Sequence, residues 1–256
     1  MLMHILFLVL ANSGAATAHE PEWHSHLDAA RRAFTWNAEF RLDAVTAERE
    51  LRDALALASQ GRATRAQVGC LHARLGQVLK NRGKLLEARS ELREALKLQE
   101  EALGPDAIEL ADTYAILSDV EAWQAIDLAG GSAARTDRSA SQALLAESIR
   151  LRERNLGPDD PSLAEPLVVF ASGLEDDGKV AEAEALEKRA LGILERAYGA
   201  NSSRLGGPLS MLRDLYKKLG RKEEAAAIDA RIDHLDLEEH DAAPDSPSKS
   251  VLGDCP

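Results

Sequence analysis

Three histidines, two cysteines and a few adjacent carboxylates are the side chains whose spacing could support chemistry in this 256-residue sequence. His19, His24 and His26 lie close together and could hold a metal ion weakly. If His19 were the mature amino terminus, its amine and ring could together chelate copper. The spacing matches no specific metal motif, and no helical pair of histidines supports it, so residues 19–26 read as a solvated, partly disordered leader. Cys70 and Cys255 could pair in an oxidising compartment. The reading preferred from sequence is instead a packed or groove-facing Cys70 and a free Cys255. Asp176-Asp177 and Glu100-Glu101 fall beside expected helix ends and read as solvated charge. No spacing holds a proton donor and a proton acceptor together in an apolar pocket. Glycine-rich nucleotide loops, a paired-histidine zinc helix and a nucleophile elbow are all missing from the sequence. The expectation is a protein without catalysis and without a cofactor.

Such a chain acts through the surface its elements present, and the stretch from Leu156 to Gly199 sets their pattern. Leu163, Leu167, Phe170 and Leu174 recur at helical spacing and make one apolar face. Ala183, Leu186, Ala190, Leu191 and Leu194 make a second, after a turn at Asp177-Gly178-Lys179. The alanines allow close approach of two helices. Leu156-Gly157-Pro158-Asp159 stops the helix before them, since Gly suits the position after a helix and Pro cannot continue one. One such hairpin cannot bury both of its faces and needs copies on either side.

The copies are present. Gly83-Lys84, Gly178-Lys179 and Gly220-Arg221 mark equivalent turns, separated by 95 and 42 positions. Leu103-Gly104, Leu156-Gly157 and Tyr198-Gly199 mark equivalent helix ends, separated by 53 and 42. Glu87-Ala88, Glu182-Ala183 and Glu224-Ala225 open equivalent second helices. One period of 42 accounts for all three landmarks if one repeat carries 11 extra residues, which fall near Ile126 to Thr136. Self-similarity of this period marks a helical solenoid, and the extra residues read as a lengthened loop.

On these residues the sequence resembles tetratricopeptide repeats of the longer type found in kinesin light chains. Leu156-Gly157-Pro158-Asp159, Pro161, Leu163-Ala164, Gly178-Lys179, Glu182-Ala183-Glu184, Arg189-Ala190-Leu191 and Ile193 match that family's repeat. Glu187 replaces the aromatic residue of its second helix, which would loosen that hairpin. The resemblance runs from about Leu42 to Leu235. It implies an all-α fold, a right-handed α–α superhelix of four to five hairpins whose first helices line a concave face. The groove positions it implies are Gln77, Lys80 and Asn81; Asp112, Asp119 and Trp123; Glu165, Ser172 and Asp176; and Asp214, Lys217 and Lys218. Lys80 and Asn81 resemble part of the clamp that some family members close on a peptide carboxylate, whereas Asp119 and Glu165 stand where the rest would be. The implied groove is acidic in its middle and basic at Lys217-Lys218, suited to an extended segment of basic or mixed charge.

Charge narrows the partners further. With 43 acidic and 31 basic side chains the net charge is −12, which argues against a nucleic-acid surface. Residues 1–18 read as a signal peptide: an apolar run from Ile5 to Leu10, then Ala16-Thr17-Ala18 as a cleavage site. That run is too short to span a bilayer. The expected organisation is a leader at 19–26, a repeat domain at 27–237, and a disordered tail at 238–256. Within the domain the repeats fall near 27–60, 64–103, 105–155, 158–198 and 202–237. The expected function is a periplasmic or secreted scaffold for an unknown protein or peptide, with a cytoplasmic location as the alternative. Self-association into an envelope assembly and metal binding through the histidine-rich leader are the alternative functions.

Overall fold

The computed structural model describes residues 22–34, 43–128, 138–235 and 255, apart from the side chains at 62 and 126–128. The signal-like segment, most of the insert and residues 238–254 of the tail lie outside them. Ten α-helices occur among the described residues and pack in chain order as five hairpins. These are α1 (Glu22–Ala33) with α2 (Ala44–Leu57), α3 (Arg65–Asn81) with α4 (Leu85–Leu103), α5 (Glu109–Leu128) with α6 (Ser139–Leu156), α7 (Ala164–Asp176) with α8 (Val180–Tyr198), and α9 (Gly206–Lys218) with α10 (Lys222–Ile232). The result is an all-α superhelical repeat array.

Helix α1 begins inside the segment expected to be a solvated leader. Trp23 is 1% exposed and packs in one cluster with Leu27, Ala30 and Phe34, so burying the indole offsets the cost of ordering that turn. The leader reading therefore fails from Glu22 onward.

The landmarks of the sequence are backbone devices. Gly83, Gly178 and Gly220 have φ of 73°, 77° and 71°, where a side chain would be strained. Each closes its first helix the same way: the residue after the glycine donates to a carbonyl five residues back, Lys84 to Leu79, Lys179 to Leu174 and Arg221 to Tyr216, at 2.8–2.9 Å. The first helix of these three hairpins therefore ends in the same way, at a defined residue.

Buried side chains form two large clusters. One joins α1 to α4 and takes in Leu117 and Val120 of α5. The other starts at Leu145 and Ile149 of α6 and runs to α10. Small residues set the spacing within a hairpin: a Cβ on Gly76 of α3 would lie 2.6 Å from Leu92 Cγ of α4. Ion pairs lock successive hairpins together. Glu48 of α2 bonds Lys84 at 2.9 Å and also pairs with Arg82, both at the turn of the next hairpin. Glu184 of α8 repeats the device with Arg221 at 2.7 Å.

Candidate functional site

The first helices α3, α5 and α7 lie side by side and enclose a groove of about 450 Å³. Its walls carry five of the twelve groove residues implied by the sequence: Gln77 and Lys80 from α3, Asp112 and Asp119 from α5, and Glu165 from α7. Helical geometry accounts for the choice on α3 and α5, since Gln77 and Lys80 are three residues apart and Asp112 and Asp119 seven, along one face of each helix. Asn81, Trp123, Ser172 and Asp176 do not line the groove, and neither do Asp214, Lys217 and Lys218 of α9. Trp123 continues the stripe of Asp112 and Asp119 and stands 58% exposed beyond the groove.

Two basic residues were missed by the sequence reading. Arg74 lies one turn before Gln77 and lines the groove. Arg152 belongs to α6, a second helix expected to face outward, and its long side chain reaches back to the groove and pairs with Asp112 at 2.5 Å. Lys80 Nζ lies 2.7 Å from Asp119. The middle of the groove is thus of mixed charge, not acidic, because cations from α3 and α6 answer the carboxylates of α5. The basic end is corrected too. Lys218 bonds Glu175 at 2.9 Å and Lys217 lies 3.3 Å from Asp229, so both ammonium groups are engaged within the array.

Several polar atoms on the groove wall are buried without a hydrogen-bond partner: Gln77 Oε1, Arg152 Nε and Ser162 Oγ. Leaving such a group unpaired costs on the order of 1–3 kcal/mol. A bound main chain, with donors and acceptors at regular intervals, could supply the missing partners.

The cysteines differ from the expectation. Cys70 and Cys255 form a disulfide with an S–S distance of 2.08 Å, so Cys255 is not free. Their separation of 185 positions hid the pairing, because only the folded array brings the end of the chain to α3.

Two of the three leader histidines, His24 and His26, are placed; His19 lies outside the described residues. His24 stacks on Trp23 with ring centroids 3.7 Å apart. His26 Nδ1 lies 2.7 Å from Glu50 Oε2, and Asp53 joins them within 4.8 Å. This trio could hold a metal ion, but as described it is an interhelical contact between α1 and α2. Arg49 takes the other oxygen of Glu50 at 2.7 Å.

Glu187, at the family's aromatic position, is fully buried, and neither of its oxygens has a hydrogen-bond partner. Burial, and then the charge of Glu175, push its carboxyl up to about 7.

A tetratricopeptide-repeat model matches residues 73–106, the span of most of the second hairpin. The fold is a tetratricopeptide-repeat solenoid. It is similar to BtubC (BKLC) from P. vanneervenii, with a TM-score of 0.65, 17% identity and coverage of 89% of this chain and 94% of that one. It is also similar to the nearly identical TPR-like repeats assigned to a kinesin light chain of Podosopora anserina, with a TM-score of 0.64, 16% identity and coverage of 83% and 93%. The MamA protein is more distant, at a TM-score of 0.51 and 12% identity over 87% and 97% of the two chains. No curated protein matches the sequence. The repeat fold read from Leu156 to Gly199 is therefore that of the array as a whole. Tetratricopeptide arrays are in general protein-interaction scaffolds. Among the described residues no helix is long and apolar enough to cross a membrane.

Proposed function

We propose that this protein is a non-enzymatic scaffold that binds an extended polypeptide segment along α3, α5 and α7, outside the cytoplasm. The observation that carries the reading is the groove of about 450 Å³ with Gln77 Oε1, Arg152 Nε and Ser162 Oγ buried and unpaired in its wall. Those atoms come from α3, from α6 and from the 3-10 turn Pro161–Leu163 that leads into α7, so a chain running across the helices passes all three elements. The mixed charge of the walls suits a segment carrying both signs. The Cys70–Cys255 disulfide supports an oxidising compartment, as does the signal-like start of the sequence.

The test is capture from an envelope extract with the full chain, with partners identified by mass spectrometry. The comparison is a Lys80→Glu, Glu165→Lys variant with an unchanged circular dichroism spectrum. A partner held by the native chain and lost by the variant supports the groove. A partner held equally by both places the interface elsewhere and overturns it. Capture of the chain's own copies alone would replace this reading with self-assembly.

A further inference from the structure

The ion pairs inside the groove use its charges unequally. Asp112 is taken by Arg152 and Asp119 by Lys80, so these four groups answer one another within the array. Arg74, the remaining cation of the wall, is likewise already engaged within the chain. Glu165 is different. It lines the groove from the first turn of α7 and has no ion-pair partner among the described residues. Val169 stands one turn further along α7, 41% exposed and on the same wall. A carboxylate four residues from an exposed valine fits a Lys or Arg side chain. The methylene stem lies on the apolar surface and the charged end reaches the carboxylate.

An apolar recess adjoins this wall. It has a volume of about 230 Å³, lies between α3 and α5 against the end of α4, and is walled in part by Ala73, Leu103, Ile108 and Ile116. Leu103 is 39% exposed, a large aliphatic side chain that the array itself does not cover. Recess and groove are continuous, because Arg74, Asp112 and Ile116 line both. Glu109 also lines the recess and, like Glu165, has no ion-pair partner among the described residues. The charge left open across the two is therefore negative, although the walls carry both signs.

We propose that the groove selects segments in which a large apolar side chain and a Lys or Arg lie about three or four residues apart, the first seated in the recess and the second on Glu165. This rests on the reading of the groove as a polypeptide-binding surface and names what that surface prefers. The spacing follows from the helices. The recess lies against α5 and Glu165 belongs to α7, about one packed-helix distance of 8–10 Å away. An extended chain advances about 3.3 Å per residue, so about three residues cover that distance. One more is needed to reach the α3 side of α5. Glu109 beside the recess disfavours an acidic residue next to the apolar one.

The test is a selection of random 12-residue peptides displayed on phage, run against the full, oxidised chain and again against Glu165→Lys. That substitution is at an exposed position, and folding is checked by circular dichroism. Peptides enriched by the native chain should carry Leu, Ile, Met or Phe three or four positions from a Lys or Arg. Peptides enriched by Glu165→Lys should keep the apolar residue and carry Asp or Glu in place of the basic one. The affinity probe is the peptide that the native chain enriches most, followed by fluorescence anisotropy. Exchanging its basic residue for Glu should raise Kd roughly three- to tenfold, and Glu165→Lys should reverse that preference. Exchanging its apolar residue for Ala, or making Leu103→Asp in the protein, should raise Kd roughly tenfold or more. Enriched peptides with no basic residue at a fixed distance from an apolar one, or the same motif enriched by Glu165→Lys, would overturn the proposal. If such peptides nevertheless lose binding to the Lys80→Glu, Glu165→Lys variant, the scaffold reading stands without this preference. If neither chain enriches any peptide, both readings fall.

Discussion

Replacing Glu187 with Leu should make the protein more stable, and more so as the pH rises. Glu187 is fully buried with neither oxygen hydrogen-bonded, and its carboxyl is pushed up to about 7 from an ordinary value of 4.5. The sign follows from proton binding. The folded chain holds this proton more tightly than the unfolded chain, so the group's stabilising contribution is complete below pH 4.5. It is then lost as the pH rises through 7. A shift of this size makes the native protein lose about 2–3 kcal/mol between pH 5 and pH 8 relative to Glu187→Leu. For a chain of this length that corresponds to roughly 4–12 °C in Tm. Carboxylates held low by cations, such as Glu48 and Glu184, are ionised throughout this window and add no slope. Urea denaturation of both proteins, followed by circular dichroism at several pH values, measures the difference directly. A difference that stays constant from pH 5 to pH 8 would refute the reasoning.

Further outcomes follow from other contacts. Gly76→Ala should destabilise by about 1–3 kcal/mol in chemical denaturation despite the better helix propensity of Ala, because its Cβ would lie 2.6 Å from the buried Leu92 Cγ; an unchanged or raised midpoint refutes it. Glu184→Gln should cost about 1–2 kcal/mol at pH 7, because Arg221 and Lys188 hold that carboxylate down to about 2. This contribution is present above pH 4.5 and is lost as the pH falls toward 2, so the native and variant denaturation midpoints should converge in acid. Reducing the disulfide, or Cys255→Ser, should lower stability by up to about 5 kcal/mol, the chain-entropy value for a loop closed over 185 positions. Equal midpoints with and without reductant would contradict that.

What the sequence made legible was whatever repeats locally. Gly83, Gly178 and Gly220 need only their own backbone angles, so one residue type at a fixed interval reveals each turn. The resemblance to the family's repeat, aligned on those glycines and on the alanines, likewise put Gln77, Lys80, Asp112, Asp119 and Glu165 in the groove. Contacts that cross between elements were not legible. Arg152 reaches the groove from a second helix, and Lys218 is drawn off by Glu175 of the preceding hairpin. The tryptophan after a run of polar residues looked like solvated chain, and only the helix it starts shows where its ring is buried. The Cys70–Cys255 pair has no local signature at all. The aromatic position taken by Glu187 was visible, but its consequence depends on burial, which a pattern does not carry.

The disulfide also decides how the molecule carries force. Tension applied between the two termini enters at the C-terminal end, passes through the sulfur bridge to Cys70, and leaves along α2 and α1. Everything from residue 71 to residue 254 is a covalent side loop outside that path. Four of the five hairpins are thereby wholly or largely shielded from load, and only the first and the start of α3 can be pulled open. An array that would otherwise extend like a spring becomes, when oxidised, a short tether carrying an unstressed groove.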